Sequence, residues 1–530
     1  MPDGTSAATR EREPDQAPQA RPVLQLPSRW LLALAGAVAG LAGLLVSEAV
    51  SEVLGAPTGP VSAVAGAVRD LTPGHLAIDL IHLVGKADKP LLVGGTAVIL
   101  LALCAWAGSA AARRPVVTDL VFAVLAGLGI AAELRLPNPS TVAMLAVAAG
   151  FITWLVSFRV LSAPLLAVPM SRTLLEDRSR RDFLVRAGVV VVLSGAVAVA
   201  GRVVSSGRRK VEQARDLLRL PVQRGTVPAG SSIGVTGVEP WRTPAEDFYV
   251  VHTAIPAPSI EPAEWKLRVH GMVENEITID FDQLLKRPLT EAWITLACVS
   301  NTVGGDLIGN AFWSGALLRD LLAEAKPLAG ADAVKSTSKD GWTCGTPLSV
   351  LTDPNRNAML AVAMNGKPLP VQHGFPVRMV VPGLYGYVSA TKWVVDLEVT
   401  TMEQVHAYWT ERGWTAKGPV KTESRIDVPR NGATVKAGSV RVGGSAWAQH
   451  TGIAKVEFQL DGGAWQEAEL ARVPDLDTWV QWAGSIDVGK GDHRLYVRAT
   501  DESGYVQTAA KADPFPSGAT GWHTHPFTAT

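Results

Sequence analysis

Trp293-Ile-Thr-Leu-Ala-Cys-Val-Ser-Asn-Thr-Val-Gly-Gly-Asp306 is an apolar run that ends on a cysteine and continues into a polar, glycine-bearing loop. Trp293 to Cys298 is strand-like. A strand end followed by a Gly-rich loop brings backbone amides close to a ligand. A thiolate is a soft ligand that suits redox-active transition metals. Taken alone, Cys298 reads as well as a buried structural cysteine or as half of a Cys298–Cys344 disulfide. The third cysteine, Cys104, falls inside an apolar run and reads as packing. Three cysteines make no disulfide framework.

The residues around this stretch alternate between strand and helix patterns. Trp265 to Gly271 alternates like a strand, and Phe281 to Leu285 reads as a turn of helix. Gly315 to Glu324 has helical apolar spacing, and Pro376 to Pro382 is a strand with turn residues at both ends. Trp241 to Pro429 therefore reads as an α+β domain. Beyond it, Gly438–Ala448, Ala454–Leu460, Thr478–Ile486 and His493–Thr500 are short strands between tight turns. About 100 residues of such strands, 430–530, predict an all-β sandwich of immunoglobulin type.

Before residue 205 the composition changes. Hydrophobic residues make up 47% of the 530-residue chain and charged residues 18%, and most of the apolar excess lies there. Trp30–Val50, Leu91–Ala112, Val116–Leu134, Thr141–Leu161 and Leu184–Val204 each approach the ~20 residues that a membrane-crossing helix needs. Residues 30–204 are thus expected to form an all-α transmembrane bundle of five helices. Val61–Leu71, in the loop Ser51–Pro90, is too short to span and reads as interfacial.

Arg10, Arg12, Arg21 and Arg29 precede the first run. Arg113 and Arg114 separate the second from the third, and Arg172, Arg178, Arg180 and Arg181 precede the fifth. These regions share the cytoplasmic side only if the N-terminus is cytoplasmic, which puts everything after Val204 outside. Ser179-Arg180-Arg181-Asp-Phe-Leu184 resembles a twin-arginine export signal, a route that carries folded domains. Residues 1–29 read as a disordered cytoplasmic tail, and 205–240 as stalk and linker. The five runs hold no histidine for axial haem ligation and few charges for an ion path, so anchoring to lipid is their simplest role. Net charge is zero, and no basic stripe suggests nucleic acid.

Met364 to Trp393 gathers His373, Arg378, Ser389 and Lys392 around turns fixed by Gly and Pro. Such donors suit an anionic, phosphate-bearing ligand. Arg378 stands in an apolar strand and needs an anionic partner if buried. Thr295-Leu-Ala-Cys-Val-Ser-Asn301, Asp340-Gly-Trp-Thr343 and Met364–Trp393, in this order and spacing, resemble the sulfite oxidase family of molybdopterin oxidoreductases. The likeness spans roughly Gly225 to Pro429, and the tail is similar to that family's dimerisation domain.

The resemblance implies a molybdenum–molybdopterin cofactor with Cys298 as the catalytic thiolate on the metal. It implies that Tyr249, His252, Asp340, Thr343, His373, Arg378, Ser389 and Lys392 contact the pterin or its phosphate. It also implies a small-molecule substrate, an electron-transfer partner in or outside the membrane, since no haem domain is evident, and a homodimer through the tail. Where the family carries arginines, Val250, Val251, Thr302 and Val303 stand here, and Val362 replaces a tyrosine. Losing those cations weakens binding of a dianion such as sulfite by roughly a few kcal/mol. The leading expectation is oxygen-atom transfer to or from a small, sulfur-containing substrate. Reduction of sulfoxides, on oxidised methionine or small S- or N-oxides, is the alternative. A non-catalytic membrane-anchored binding protein is the reading from another class.

Overall fold

The computed structural model describes residues 28–56, 58–72, 87–136, 139–166, 175–204, 207–255 and 257–530. The tail expected at 1–29 and the arginines at 10, 12, 21 and 172 fall almost wholly outside these residues. The chain divides into two compact units. The first comprises Met1–Val46, Ala97–Gly127 and Ala148–Val197, the second Ser47–Thr96, Leu128–Val147 and Ala198–Thr530.

The apolar runs are helices. They are α1 (Arg29–Val53), α3 (Asp88–Ala110), α4 (Pro115–Leu134), α5 (Thr141–Leu166) and α6 (Leu175–Val204), with α2 (Pro60–Leu71) between the first two. Among the described residues five helices are long and apolar enough to cross a membrane. Within the first unit, small residues allow close approach. A Cβ on Gly36 would lie 2.2 Å from the Cys104 carbonyl oxygen, and one on Gly108 2.2 Å from that of Leu32. Trp154 donates its indole N–H to the Gly40 carbonyl at 2.9 Å. Phe122 stands 5.6 Å from Trp154 and 5.9 Å, edge-on, from Phe158. Cys104 is buried in this packing, as its place in an apolar run implies.

The second unit takes the end of α1, α2 and the start of α3, then the end of α4 and the start of α5, and continues from the end of α6 into α7 (Gly207–Leu217). The segment expected as a stalk lies against the folded domain. Val211 is buried among Trp313, Leu369 and Phe375, and Arg215 donates to the Leu369 carbonyl at 2.8 Å. The amphipathic pattern of this helix, with one apolar stripe, explains the docking.

Next come β1 (Lys266–Gly271), β2 (Ile277–Asp280), α8 (Phe281–Leu285), β3 (Leu289–Ala297), β4 (Ile308–Leu317), α9 (Leu318–Ala325), β5 (Ala333–Ser338) and β6 (Thr343–Pro347). They are followed by α10 (Leu348–Leu351), β7 (Met359–Met364), β8 (Lys367–Pro368), β9 (Arg378–Val380) and β10 (Val394–Thr400). One sheet runs β2-β1-β10-β5-β6 and the other β3-β4-β7-β8, with β9 on β7. Asp280 caps α8 reciprocally with Gln283, which starts a short helix after a strand. The helix expected from Gly315 begins only at Leu318, because Gly315 to Leu317 pair with Ala361 to Met359. A Cβ at Gly315 would lie 2.2 Å from the Leu360 carbonyl, so the glycine serves the strand contact.

The tail holds β11 (Glu423–Val428), β12 (Ala433–Val435), β13 (Gly438–Trp447), β14 (Ile453–Leu460), β15 (Gln466–Glu467), β16 (Glu469–Leu470), β17 (Val480–Val488), β18 (Gly491–Asp501) and β19 (His523–Ala529). They form sheets β11-β13-β17-β16 and β12-β19-β18-β14-β15. Val442 and Trp482 of one sheet share a buried core with Val456, Phe458 and Val497 of the other. The result is an all-β layer pair.

Glu423 opens β11 at 4% exposure, with Oε1 unpartnered. Burial pushes its carboxyl from 4.5 up to about 8, against the pull of Lys421. The folded pKa exceeds the unfolded one, so the stability it contributes is full below about 4.5 and is lost as pH rises to about 8. Glu423→Gln should therefore melt like the parent near pH 4.5 and be more stable near pH 8 by roughly a few kcal/mol. Equal melting temperatures at both pH values would contradict this.

Candidate functional site

Cys298 follows the last residue of β3, and the turn after it is closed by its own backbone. Cys298 N–H donates to the Leu307 carbonyl at 2.9 Å, and Asn301 N–H to the Cys298 carbonyl at 3.1 Å. Asn301, 5% exposed, accepts from Leu307 N–H at 3.0 Å, and its Nδ2 has no partner. Gly304 takes φ +79°, and a Cβ there would lie 2.0 Å from His523 Nε2 of β19. Arg425 of β11 donates to the Gly305 carbonyl at 3.2 Å. The loop is thus held from the β-rich tail, a contribution without any local signal in the sequence.

The Cys298 sulfur lies 2.9 Å from Ser300 Oγ, and Cys298 is not disulfide-bonded. Burial pushes the thiol up, while hydrogen bonds from Ser300 and the Lys392 charge pull it down. Cys344 is also free and fully buried, with its sulfur 3.2 Å from Ser336 Oγ and 3.3 Å from Thr391 Oγ1. The disulfide reading is therefore overturned: both cysteines are free, and Cys344 packs against Ser336 of β5 and Thr391.

His373, Arg378 and Lys392 come together around Gly374. At φ +109°, a Cβ on Gly374 would lie 2.9 Å from Arg378 Cβ and 3.2 Å from Lys392 Cβ. Arg378 is 3% exposed and lies 5.1 Å above the Trp313 ring. Among the described residues its donors reach only carbonyls, those of Met379 and His373, each at 3.2 Å. Burial pushes its pKa down to about 10 despite the nearby Tyr249. Lys392 donates to the Gln372 carbonyl at 3.0 Å and stands 5.6 Å over Trp393. Burial, then the charges of Arg378 and Lys89, hold it well below the ordinary lysine range, against Cys298 and Asp340.

His373 donates from Nε2 to the Ala245 carbonyl at 3.0 Å, which leaves Nδ1 a buried acceptor without a partner. Its pKa is pushed to about 3 by burial, then by Lys392 and Arg378, so it is neutral. It therefore offers an acceptor for a ligand N–H or O–H, whereas the sequence reading counted it among the donors. His252, edge-on to Trp393 at 5.3 Å, is pushed to about 2 by burial, then by Lys392 and Lys89. Tyr249 stacks on Phe248 at 5.2 Å, and burial, then the nearby Cys298, raises its phenol.

The remaining expected residues are more committed. Ser389, fully buried, donates to the Tyr385 carbonyl at 2.9 Å. The Thr343 hydroxyl accepts from Tyr408 N–H at 3.2 Å. Asp340, half-buried in the turn before β6, feels the Lys392 charge. Tyr385, in the same stretch as Ser389, is a buried neighbour of Cys298 that sequence reasoning left out.

Among the described residues no three His, Cys, Asp or Glu side chains could hold a metal between them. Buried Arg378 and half-buried Lys392, with no ion-paired carboxylate among the described residues, the bare His373 Nδ1 and the unpartnered Asn301 Nδ2 fit a ligand that carries both an anion and ring N–H groups.

Residues 252–409 match the family described as oxidoreductase molybdopterin binding domain. Mitochondrial sulfite oxidase of Mus musculus is 32% identical over 317 residues, 51% of this chain and 58% of that protein. An NADPH nitrate reductase of Emericella nidulans is 36% identical over 181 residues, 30% of this chain and 20% of that protein. The chain spans 50 to 58% of the length of the mammalian sulfite oxidases that it matches. Among solved structures, sulfane dehydrogenase SoxCD from Paracoccus pantotrophus superposes with a TM-score of 0.46 at 24% identity, over 56% of this chain and 83% of that one.

Proposed function

Because the chain is an enzyme of the sulfite oxidase family of molybdopterin oxidoreductases, we propose that it is anchored in the cytoplasmic membrane and works on the outer side. On this reading it moves an oxygen atom to or from a small sulfur-containing substrate. One observation carries the proposal: Arg378, 3% exposed and donating to carbonyls but to no carboxylate among the described residues, meets Lys392 around Gly374. When bound, the molybdenum cofactor supplies two-electron chemistry coupled to oxygen-atom transfer. Cys298 ligates and tunes the metal. Arg378 and Lys392 balance the anionic end of the pterin, His373 Nδ1 accepts from a ring N–H, and Tyr249, His252, Asp340, Thr343 and Ser389 line or shape the pocket.

The helices at Arg29–Val53, Asp88–Ala110, Pro115–Leu134, Thr141–Leu166 and Arg181–Gly201 are the anchor, with the N-terminus cytoplasmic. The arginines at 180 and 181 would direct export of the folded, loaded domain. The β-rich tail is the immunoglobulin-like, dimer-forming module, and electrons pass to a separate partner. The domains are then the 30–204 anchor, the 205–240 linker, the 241–429 cofactor domain and the 430–530 tail.

Val250 and Val251, 41% and 43% exposed, favour a second reading. They place apolar surface beside Tyr249 and His252, which suits a neutral substrate such as a sulfoxide on oxidised methionine better than sulfite. A screen with a redox dye on full-length protein tests both, taking sulfite, sulfoxides and N-oxides in turn. Turnover of a sulfur substrate, with molybdenum and pterin bound, is expected. Protein isolated from its native membrane without molybdenum or pterin would overturn the proposal.

A further inference from the structure

One basic group at this site belongs to no motif of the cofactor domain. Lys89 stands in the first turn of α3 and closes the segment 47–96 that opens the second unit. Its Nζ is 3.0 Å from His252 Nδ1 and 3.0 Å from the Ala254 carbonyl oxygen. The same segment is fastened nearby. Arg69 donates to the Thr253 carbonyl, and Asp70 accepts from Tyr408 Oη at 2.9 Å. Arg412 lies 3.7 Å over the Tyr408 ring and 3.9 Å from Asp70.

An ammonium group only donates, so His252 Nδ1 must accept, and the ring proton sits on Nε2. Lys89 thereby selects the tautomer of His252. It also adds a positive charge to Lys392, which already feels Arg378. The carboxylates in reach of Lys89 are its neighbour Asp88 and Asp340. Lys89 and Lys392 are half-buried, and basic groups held this close repel unless an anion lies among them. His373, 3% exposed with an unpartnered Nδ1, lies within electrostatic reach of His252, Lys392 and Arg378.

We propose that Lys89 is a further binding residue of the cofactor site. It supplies a cation to the anionic, phosphate-bearing ligand and holds His252 as an Nε2–H donor toward it. The ligand site is then incomplete without Lys89. This rests on the molybdopterin reading above.

The test uses the full chain in detergent. Pterin released per chain and molybdenum per chain are measured after extended dialysis for the parent, Lys89→Met and Lys89→Arg, together with melting of cofactor-free protein. The loss of one charge-assisted contact is expected to weaken retention about tenfold in Lys89→Met. Lys89→Arg should keep most of it, and cofactor-free Lys89→Met should melt with the parent. Parental retention in Lys89→Met overturns the assignment and leaves the molybdopterin reading standing. So does a lowered melting temperature of cofactor-free Lys89→Met, since Lys89 would then be structural. A parent without pterin or molybdenum overturns both.

Discussion

Cys298→Ser should lower turnover by more than the ~100-fold typical of losing a group behind a metal ligand, because on the proposed reading it removes the ligand itself. A serine hydroxyl is a hard donor and keeps its proton at neutral pH, whereas a metal-bound thiol is deprotonated outright. In the free protein, burial already resists ionisation of this thiol, with only Ser300 and Lys392 favouring it. On the proposed ligation the metal's charge would supply the difference, and the bond would depend on sulfur chemistry and not on an activated thiolate waiting for metal. Pterin content should stay near parental, since the pterin contacts lie on other residues. Dye-linked turnover within about threefold of the parent would show that Cys298 is not a ligand.

Arg378→Met should have opposite effects on cofactor retention and on the stability of the empty protein. The guanidinium is 3% exposed and reaches carbonyls but no carboxylate among the described residues. Without an anion it is a buried, uncompensated charge, so its removal should stabilise cofactor-free protein by roughly 1–4 kcal/mol. With the anion present, losing this contact should cost about 2–5 kcal/mol, some 30-fold to several thousand-fold in retention. Arg378→Lys should not restore it fully, because an ammonium lacks the planar fork. Pterin analysis after dialysis, together with melting of empty protein, reads both signs. If empty Arg378→Met melts lower than the parent, the arginine is held by something other than a missing anion.

Much of this site was legible because its parts are contiguous in sequence. Cys298 to Asn301 close one loop, and Gly374 brings Arg378 and Lys392 together within a single stretch. The apolar helices were legible for the same reason, since length and composition are local properties. Residues brought in by the fold were not. Lys89 is 163 positions from His252, and Arg425 is 120 from Gly305. Nothing near either in sequence distinguishes it from an ordinary surface cation. Hydrogen-bond direction was also invisible. Only the structure shows that Ser389 donates to Tyr385 and that His373 spends its proton on Ala245. Gly315 misled because its neighbours have helical spacing, while pairing with β7 keeps the backbone extended as far as Leu317.

X-ray absorption at the molybdenum edge of full-length, cofactor-loaded protein bears most directly on the account. The parent should show sulfur bonded to molybdenum, and Cys298→Ser should show one sulfur fewer at unchanged pterin content. An identical sulfur count in the two proteins would place the thiol away from the metal and contradict the assignment.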